Sequence, residues 1–280
     1  MDNSQEYYDA YKKHHVFDEI DHMMEFYDCI SYSSSSFIPN GTPNIGNYEA
    51  NIYQSIRTTL NSIKILLGVR HISDAFVLIR KLFDTVLANI YLDVVREDEF
   101  DWMNSSVVKD LDEWLKKEHR IPRTERILKV LKNSNTTKEL YPWFGWDTYL
   151  KTNRSILDNY VHVNNYGSVL LNCPDLFIQD REEQLKNASI MLNQIMMIHL
   201  AFTFYMNAPY MTSSDYMDYS EIDMASPQGS ECWLAPFAQQ AFDIFLKPHE
   251  KLAMFIKEHC PMDIEMKQKQ TMHFGSSEML

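Results

Sequence analysis

Glycine is scarce in this sequence, with 7 residues in 280, against an average usage of about 7%. Many-stranded β architectures need tight turns at short intervals, so the scarcity argues against them. A Walker-type phosphate loop is excluded as well, because Asn47 and Tyr48 follow Gly46 where Lys and Ser or Thr are required. The sequence therefore predicts an all-α fold, a multi-helix bundle.

Cysteine is also rare, and no two cysteines lie close enough for a metal knuckle or a CxxC redox pair. The first 25 residues lack a basic start followed by an apolar segment, so we expect no secretory signal. Reduced thiols in a cytoplasmic protein are the expectation. The four cysteines are Cys29, Cys173, Cys232 and Cys260.

Acidic residues dominate the charge, which is −13, while the 45% hydrophobic content excludes intrinsic disorder. An acidic chain is a poor general binder of nucleic acid, yet residues 116–132 hold seven basic and two acidic side chains, a local charge of +5. This segment is either an RNA contact or an ordinary solvated helix face. The candidate RNA contacts are Arg120, Arg123, Arg126 and Lys129.

The apolar spacing predicts a long antiparallel helical hairpin over residues 48–96, at the centre of the bundle and with Gly68 ending its first helix. Residues 182–207 predict a buried helix rather than a membrane span, because polar residues interrupt a short apolar run. Residues 213–229 predict a mobile loop. The predicted organisation is an N-terminal helix (1–30), a linker (31–46), a helical bundle domain (47–262) and a disordered tail (263–280).

Two groups of polar residues are candidate sites. Arg80 and Asp84 share one face of the hairpin's second helix, on the flank of a solvent stripe expected to include Asn89, Asp93 and Arg96. The pair is either a buried ion pair that fixes helix packing or the polar wall of a site.

The second group is Arg154, Asp158 and His162, spaced four residues apart so that they follow one another along a helix. A carboxylate can orient an imidazole for general acid–base chemistry, and a guanidinium can hold a phosphate. The alternative is a histidine at a helix C-terminus, stabilised by the helix dipole.

The segments Arg80–Asp84 and Asn159–Asn164 resemble those of bacterial helical proteins that are similar to the HEPN superfamily. The resemblance implies an α-helical bundle, often a homodimer, and in many members a metal-independent ribonuclease of toxin–antitoxin or phage-defence systems. The family motif places four to six residues between its Arg and its His. Arg154 and His162 have seven residues between them, one more than the motif allows. The extra residue places His162 about 100° further around the helix than the motif would.

The resemblance further implies attack of a ribose 2′-hydroxyl on the adjacent phosphate. His162 would act as base or acid and Arg154 would stabilise the phosphorane charge, with Asp158 and Asn159 positioning them. No cofactor and no metal are expected. The competing interpretation is a non-catalytic helical module that binds a partner protein or a small ligand.

Glu19 and His22 form a Glu-x-x-His element, with His15 one turn upstream, which is half of the pattern of a helical metal site. Helical di-iron sites need two such elements, and the sequence contains no second one. A solvated polar face is therefore expected there.

Overall fold

The chain forms an all-α bundle in a computed structural model that describes residues 3–36, 48–99, 109–118, 120–176, 180–222 and 224–266. Within these ranges no strand is present, and one isolated bridge joins Thr212 to Leu234. The α-helices are α1 (Asn3–Lys12), α2 (Val16–Ser36), α3 (Tyr48–Gly68), α4 (Ile72–Glu99), α5 (Lys109–Leu115), α6 (Thr124–Asn133), α7 (Trp146–Tyr149), α8 (Ser155–Val161), α9 (Tyr166–Leu170), α10 (Arg181–Met206), α11 (Ser214–Glu221), α12 (Pro236–Ala241) and α13 (Glu250–His259).

Helices α3 and α4 form the predicted hairpin, joined by residues 69–71. The connection turns at Arg70, whose φ of 67° is left-handed, whereas Gly68 stays in the helix. The His71 amide then donates to the Leu66 carbonyl at 2.8 Å, closing the end of α3. The left-handed residue of this turn is therefore Arg70, two positions beyond Gly68, which the sequence predicted to end the helix.

The N-terminal region differs from the single predicted helix. It breaks between α1 and α2, where the Val16 amide donates to His14 Nδ1 at 3.2 Å. Helix α2 then continues six residues into the segment predicted as a linker, because the Ser31 and Ser34 hydroxyls donate to carbonyls, that of Ala50 among them. Residues 37–47 of that linker lie outside the described residues. Apolar side chains of α2 share the core of α3 and α4.

Helix α10 is buried, as the sequence predicted. Among the described helices it alone is long and apolar enough to cross a membrane, but 67% of its most apolar window is buried inside the bundle. Core helices of soluble proteins pass the same test, so this finding is weak evidence about a membrane.

Arg181, the first residue of α10, is wholly buried. It forms hydrogen bonds with both the α3–α4 turn and the loop after α9. Its guanidinium donates to the carbonyls of Arg70 at 2.8 Å, Leu171 at 3.2 Å, Cys173 at 2.6 Å and Leu176 at 3.4 Å. The loop after α9 is thereby fixed against the turn of the α3–α4 hairpin.

The C-terminal part is more ordered than predicted. Helix α11 forms inside the expected loop, and the Ser213 hydroxyl accepts from the Asp215 amide at its start. The chain stays packed beyond residue 262, because Ile264 is buried and the Asp263 amide donates to the Cys232 carbonyl at 2.8 Å. Residues 267–280, most of the expected tail, lie outside the described residues.

Candidate functional site

A cleft of about 590 Å³ opens between α4, α6 and the end of a π-helical turn, Leu150–Arg154, that leads into α8. We call it the arginine cleft, because three of its five charged residues are arginines. The remaining lining is apolar apart from one threonine, so the charged groups define its chemistry. Its charged residues are Arg80, Asp84, Arg123, Glu125 and Arg154.

Arg80 is the most firmly held of the three arginines. Its side chain is 11% exposed, it forms an ion pair with Asp84, and its Nε donates to Asp158 Oδ1 at 3.0 Å. Burial lowers the pKa of Arg80, but the hydrogen bond and charge of Asp84 raise it overall, so the guanidinium stays charged. The predicted Arg80–Asp84 pair thus forms and also contacts α8.

Arg154 is held loosely. Its Nη1 lies 3.8 Å from Glu125 Oε1 and its Nε lies 4.0 Å from Asp158 Oδ2, both beyond hydrogen-bonding distance. Its side chain is 25% exposed. Arg154 can therefore turn toward a ligand in the cleft without breaking a strong bond.

His162 lies outside the arginine cleft, at the C-terminal end of α8. Its ring is exposed, and within the described residues no ion pair or side-chain hydrogen bond joins it to Arg154 or Asp158. Asn159 also points elsewhere, since its Oδ1 accepts from Asn164 Nδ2 at 3.0 Å. The structure thus brings Arg154 and Asp158 together with Arg80 and leaves His162 and Asn159 apart.

The basic side chains of α6, and Arg123 just before its first residue, are exposed to solvent. Ile127, Leu128 and Leu131 turn into the core, which leaves the basic residues on the outer face. Arg123 lines the arginine cleft, while Arg126 and Lys129 line a second cleft of about 500 Å³.

No ion pair engages these three basic side chains, or Arg120, within the described part of the chain. Arg120 is exposed but lines neither cleft. The second cleft contains one acidic residue, Asp98, whose Oδ1 accepts from the Thr136 hydroxyl at 2.8 Å.

The Glu19, His22 and His15 side chains do not converge on a common point. Glu19 Oε2 accepts from the Ser189 hydroxyl at 2.6 Å and its Oε1 lies 3.9 Å from His15, while His22 contacts Gln240. No group of three or more His, Cys, Asp or Glu side chains suited to a metal occurs among the residues described.

A buried polar network, which was not predicted from the sequence, lies toward the C-terminal end of α4. The Tyr27 hydroxyl lies 2.6 Å from His199 Nδ1, His199 Nε2 lies 2.9 Å from Asn89 Oδ1, and Asn89 Nδ2 donates to Asp93 Oδ2 at 3.3 Å. Burial lowers the pKa of His199 to about 3, so the ring is neutral. Asn89 and Asp93 are buried, so the prediction that they belong to a solvent-exposed stripe of α4 is wrong.

The network continues to Glu49 in the first turn of α3. Arg96 forms an ion pair with Glu49 and donates through Nη2 to Asn207 Oδ1 at 2.9 Å. Asn207 Nδ2 in turn donates to Asp93 Oδ2 at 2.9 Å, and the Tyr210 hydroxyl donates to Glu49. The sequence gives one signal for this network. Glu49 is an acidic residue at the start of α3, and the second half of the neighbouring helix α4 is apolar on nearly every face.

No family model matches this chain, and no curated protein or solved structure matches it either. The chemistry of the clefts is therefore the basis for inferring a function.

Proposed function

We propose that this chain binds the phosphate groups of RNA along the outer face of α6, as a HEPN-like helical protein of bacterial defence or toxin systems. The observation that carries the proposal is the exposure of Arg123, Arg126 and Lys129, unpaired within the described residues, beside two clefts of an otherwise acidic protein. The resemblance of the chain to HEPN-like proteins favours RNA as the source of the phosphates.

The chemistry of the arginine cleft supports this function. A guanidinium matches two phosphate oxygens at once, and the release of counterions from a nucleic acid strengthens each contact. Arg154 needs only to leave Glu125 and Asp158, 3.8 and 4.0 Å away, to add a further contact. Arg80 remains held by Asp84 and Asp158 and forms the wall of the cleft.

The test measures the affinity for labelled single-stranded RNA by fluorescence anisotropy at several salt concentrations. The double variant Arg123→Glu/Arg126→Glu removes two phosphate contacts. We expect it to bind about tenfold or more weakly and to lower the slope of log affinity against log salt by about 2. Single-stranded DNA of the same sequence shows whether the 2′-hydroxyl contributes.

The matched control is Lys251→Glu/Lys257→Glu, which makes the same change in net charge at two exposed positions of α13, outside both clefts. It should retain most of the affinity. Equal losses in the two double variants would mean that net charge alone acts. An unchanged affinity in the α6 variant would favour the alternative function, binding of a partner protein or a small ligand.

RNA cleavage is a second candidate, favoured by the exposed ring of His162 on the helix that follows Arg154. In one chain the two side chains stand apart, so cleavage requires Arg154 and His162 from different copies of a homodimer. His162 would then move the proton of the ribose 2′-hydroxyl while Arg154 stabilises the phosphorane, with Asp158 and Asn159 as positioning residues.

Incubation of purified protein with RNA tests this candidate, together with sedimentation to measure the oligomeric state. Cleavage predicts fragments with 2′,3′-cyclic phosphate ends that appear only where a dimer forms and disappear in His162→Ala. Intact RNA at dimer-forming concentrations would leave binding without cleavage as the function.

A further inference from the structure

Glu49 and Asp93 form a pair of buried carboxyl groups, 4% and 3% exposed, on α3 and α4. The one basic side chain that reaches both, within the described residues, is Arg96, whose Nη1 pairs with Glu49 and lies 3.9 Å from Asp93 Oδ1. Two ionised carboxylates would therefore leave an uncompensated negative charge in the interior. Such a charge is costly enough that a buried group takes up a proton instead.

The hydrogen-bond donors distinguish the two carboxyl groups. Glu49 accepts from Arg96, from the Tyr48 hydroxyl at 3.2 Å and from the Tyr210 hydroxyl, a set that suits an ionised carboxylate. Asp93 Oδ2 accepts from two neutral amides, and its Oδ1 has one neutral contact, the Tyr48 hydroxyl at 3.4 Å.

The contact between Asp93 and Tyr48 locates the proton. The Tyr48 hydroxyl carries a single hydrogen, and it lies within reach of both Glu49 Oε1 and Asp93 Oδ1. If the Tyr48 hydroxyl donates its hydrogen to Glu49, its oxygen can only accept in the contact with Asp93. Asp93 Oδ1 must then carry a proton to act as the donor. Burial and the charge of Glu49 also raise the pKa of Asp93 well above its ordinary range, against the effect of Arg96.

The other titratable groups around the pair keep one state across the neutral range. His199 of α10 is neutral, and burial raises the pKa of Tyr27 of α2, which contacts it. Burial also lowers the pKa of Arg96, but Tyr48 and Glu49 raise it overall, so the guanidinium stays charged. On the solvent side, Arg96 is paired with Glu97 at 3.1 Å.

The tyrosine hydroxyls facing the pair are likewise neutral, since burial raises the pKa of Tyr48, Tyr53 and Tyr210. Tyr53 is wholly buried, and its hydroxyl has no hydrogen-bond partner among the residues that the structure describes. Because these hydroxyls are neutral, none of them supplies the positive charge that a second carboxylate would need.

We propose that one proton, held on Asp93 beside Glu49, holds the first turn of α3 against α4 and the 208–211 turn, and that its loss as pH rises opens this corner of the bundle. The two carboxylates then repel each other in a medium that screens charge poorly. Because Asn207 and Tyr210 bond directly to the pair, we expect the end of α10 and the 208–211 turn to open together with α3.

Hydrogen exchange of the whole protein, corrected for the intrinsic pH dependence of exchange, tests this device. Between a pH of about 3.9, the ordinary pKa of Asp, and the raised pKa of Asp93 in the folded protein, protection of residues 49–53 and 207–211 should fall by up to tenfold per pH unit, the limit for one linked proton, and it should level off above that range. Asp93→Asn should retain its protection, because the new amide donates where the proton stood. The matched control, Glu97→Gln, changes an exposed partner of Arg96 and should follow the wild type.

The same pH-dependent loss in Asp93→Asn would overturn the proposal. If that variant does not fold, infrared spectroscopy of the wild type decides. A protonated carboxyl band that persists above the ordinary pKa of Asp, about 3.9, and disappears where the loss of protection levels off supports the proton on Asp93. Absence of the band above that pH overturns it.

Discussion

Helix α4 carries two clusters of charge that are built in opposite ways. In the arginine cleft, near its middle, Arg154 meets its acidic neighbours at 3.8 and 4.0 Å and the cleft is open to solvent. Near its C-terminal end, Glu49 and Asp93 are nearly inaccessible and bonded to several donors. An open cluster can exchange a weak internal partner for a ligand, whereas a closed cluster can change its charge only by gaining or losing a proton.

The largest expected effect comes from removing the cation of the closed cluster. Arg96→Ala leaves two carboxyl groups buried without their charged partner, so we expect a loss of about 3–5 kcal/mol in the free energy of unfolding. Urea denaturation followed by circular dichroism measures it. A loss below about 1 kcal/mol would mean that the closed cluster behaves like a surface ion pair.

The pH dependence of stability sharpens the same contrast. Asp93 binds its proton more tightly in the folded state, so stability should fall as pH rises from about 3.9, the ordinary pKa of Asp, to the raised folded-state pKa. The slope is at most about 1.4 kcal/mol per pH unit. Urea midpoints across pH should show this contribution in the wild type and lack it in Asp93→Asn. Equal pH profiles of the two proteins would contradict the raised pKa.

The open cluster should respond to substitution in the opposite sense. Arg154→Ala removes only loose contacts of a partly exposed side chain, so we expect a loss below about 1 kcal/mol in unfolding free energy. Its RNA affinity should nevertheless fall, with the salt slope lowered by about 1. A large loss of stability without a change in RNA binding would make Arg154 a structural residue.

The smallest effect on stability is expected at His162. Its exposed ring has no side-chain partner among the described residues, so His162→Ala should change the free energy of unfolding by less than about 0.5 kcal/mol. Thermal unfolding checks this expectation. A larger change would assign His162 to the packing of α8 rather than to a site.

Much of the fold could be predicted because its signals are local. The spacing of apolar residues within each segment predicts the hairpin of α3 and α4, the amphipathic α6 and the apolar α10. The extension of α2 could not be predicted in this way. Its serines satisfy their hydroxyls on carbonyls, one of them in α3, so a serine-rich segment that resembled a linker remains helical.

The closed cluster of Glu49 and Asp93 could not be predicted, because some of the residues that bond to it, such as Asn207, are far away in the sequence. By its spacing Asp93 belongs with the polar residues of α4, but Asn207, which donates to its Oδ2, lies 114 residues further along the chain. The open cluster was partly predictable, since Arg80 with Asp84 and Arg154 with Asp158 follow the four-residue spacing of a helix. The position of Arg123 beside them depends on how α6 packs against α4, which spacing does not report.

The separation of bonded residues in the buried network also bears on the order of folding. The bond from His199 to Asn89 spans 110 residues and the bond from Asn207 to Asp93 spans 114, whereas α3 and α4 are joined by three residues. Contacts between neighbours in sequence form fast and distant contacts form slowly. We therefore expect the hairpin to fold early, with its polar end still hydrated, and to lose that water only when the second half of the chain docks.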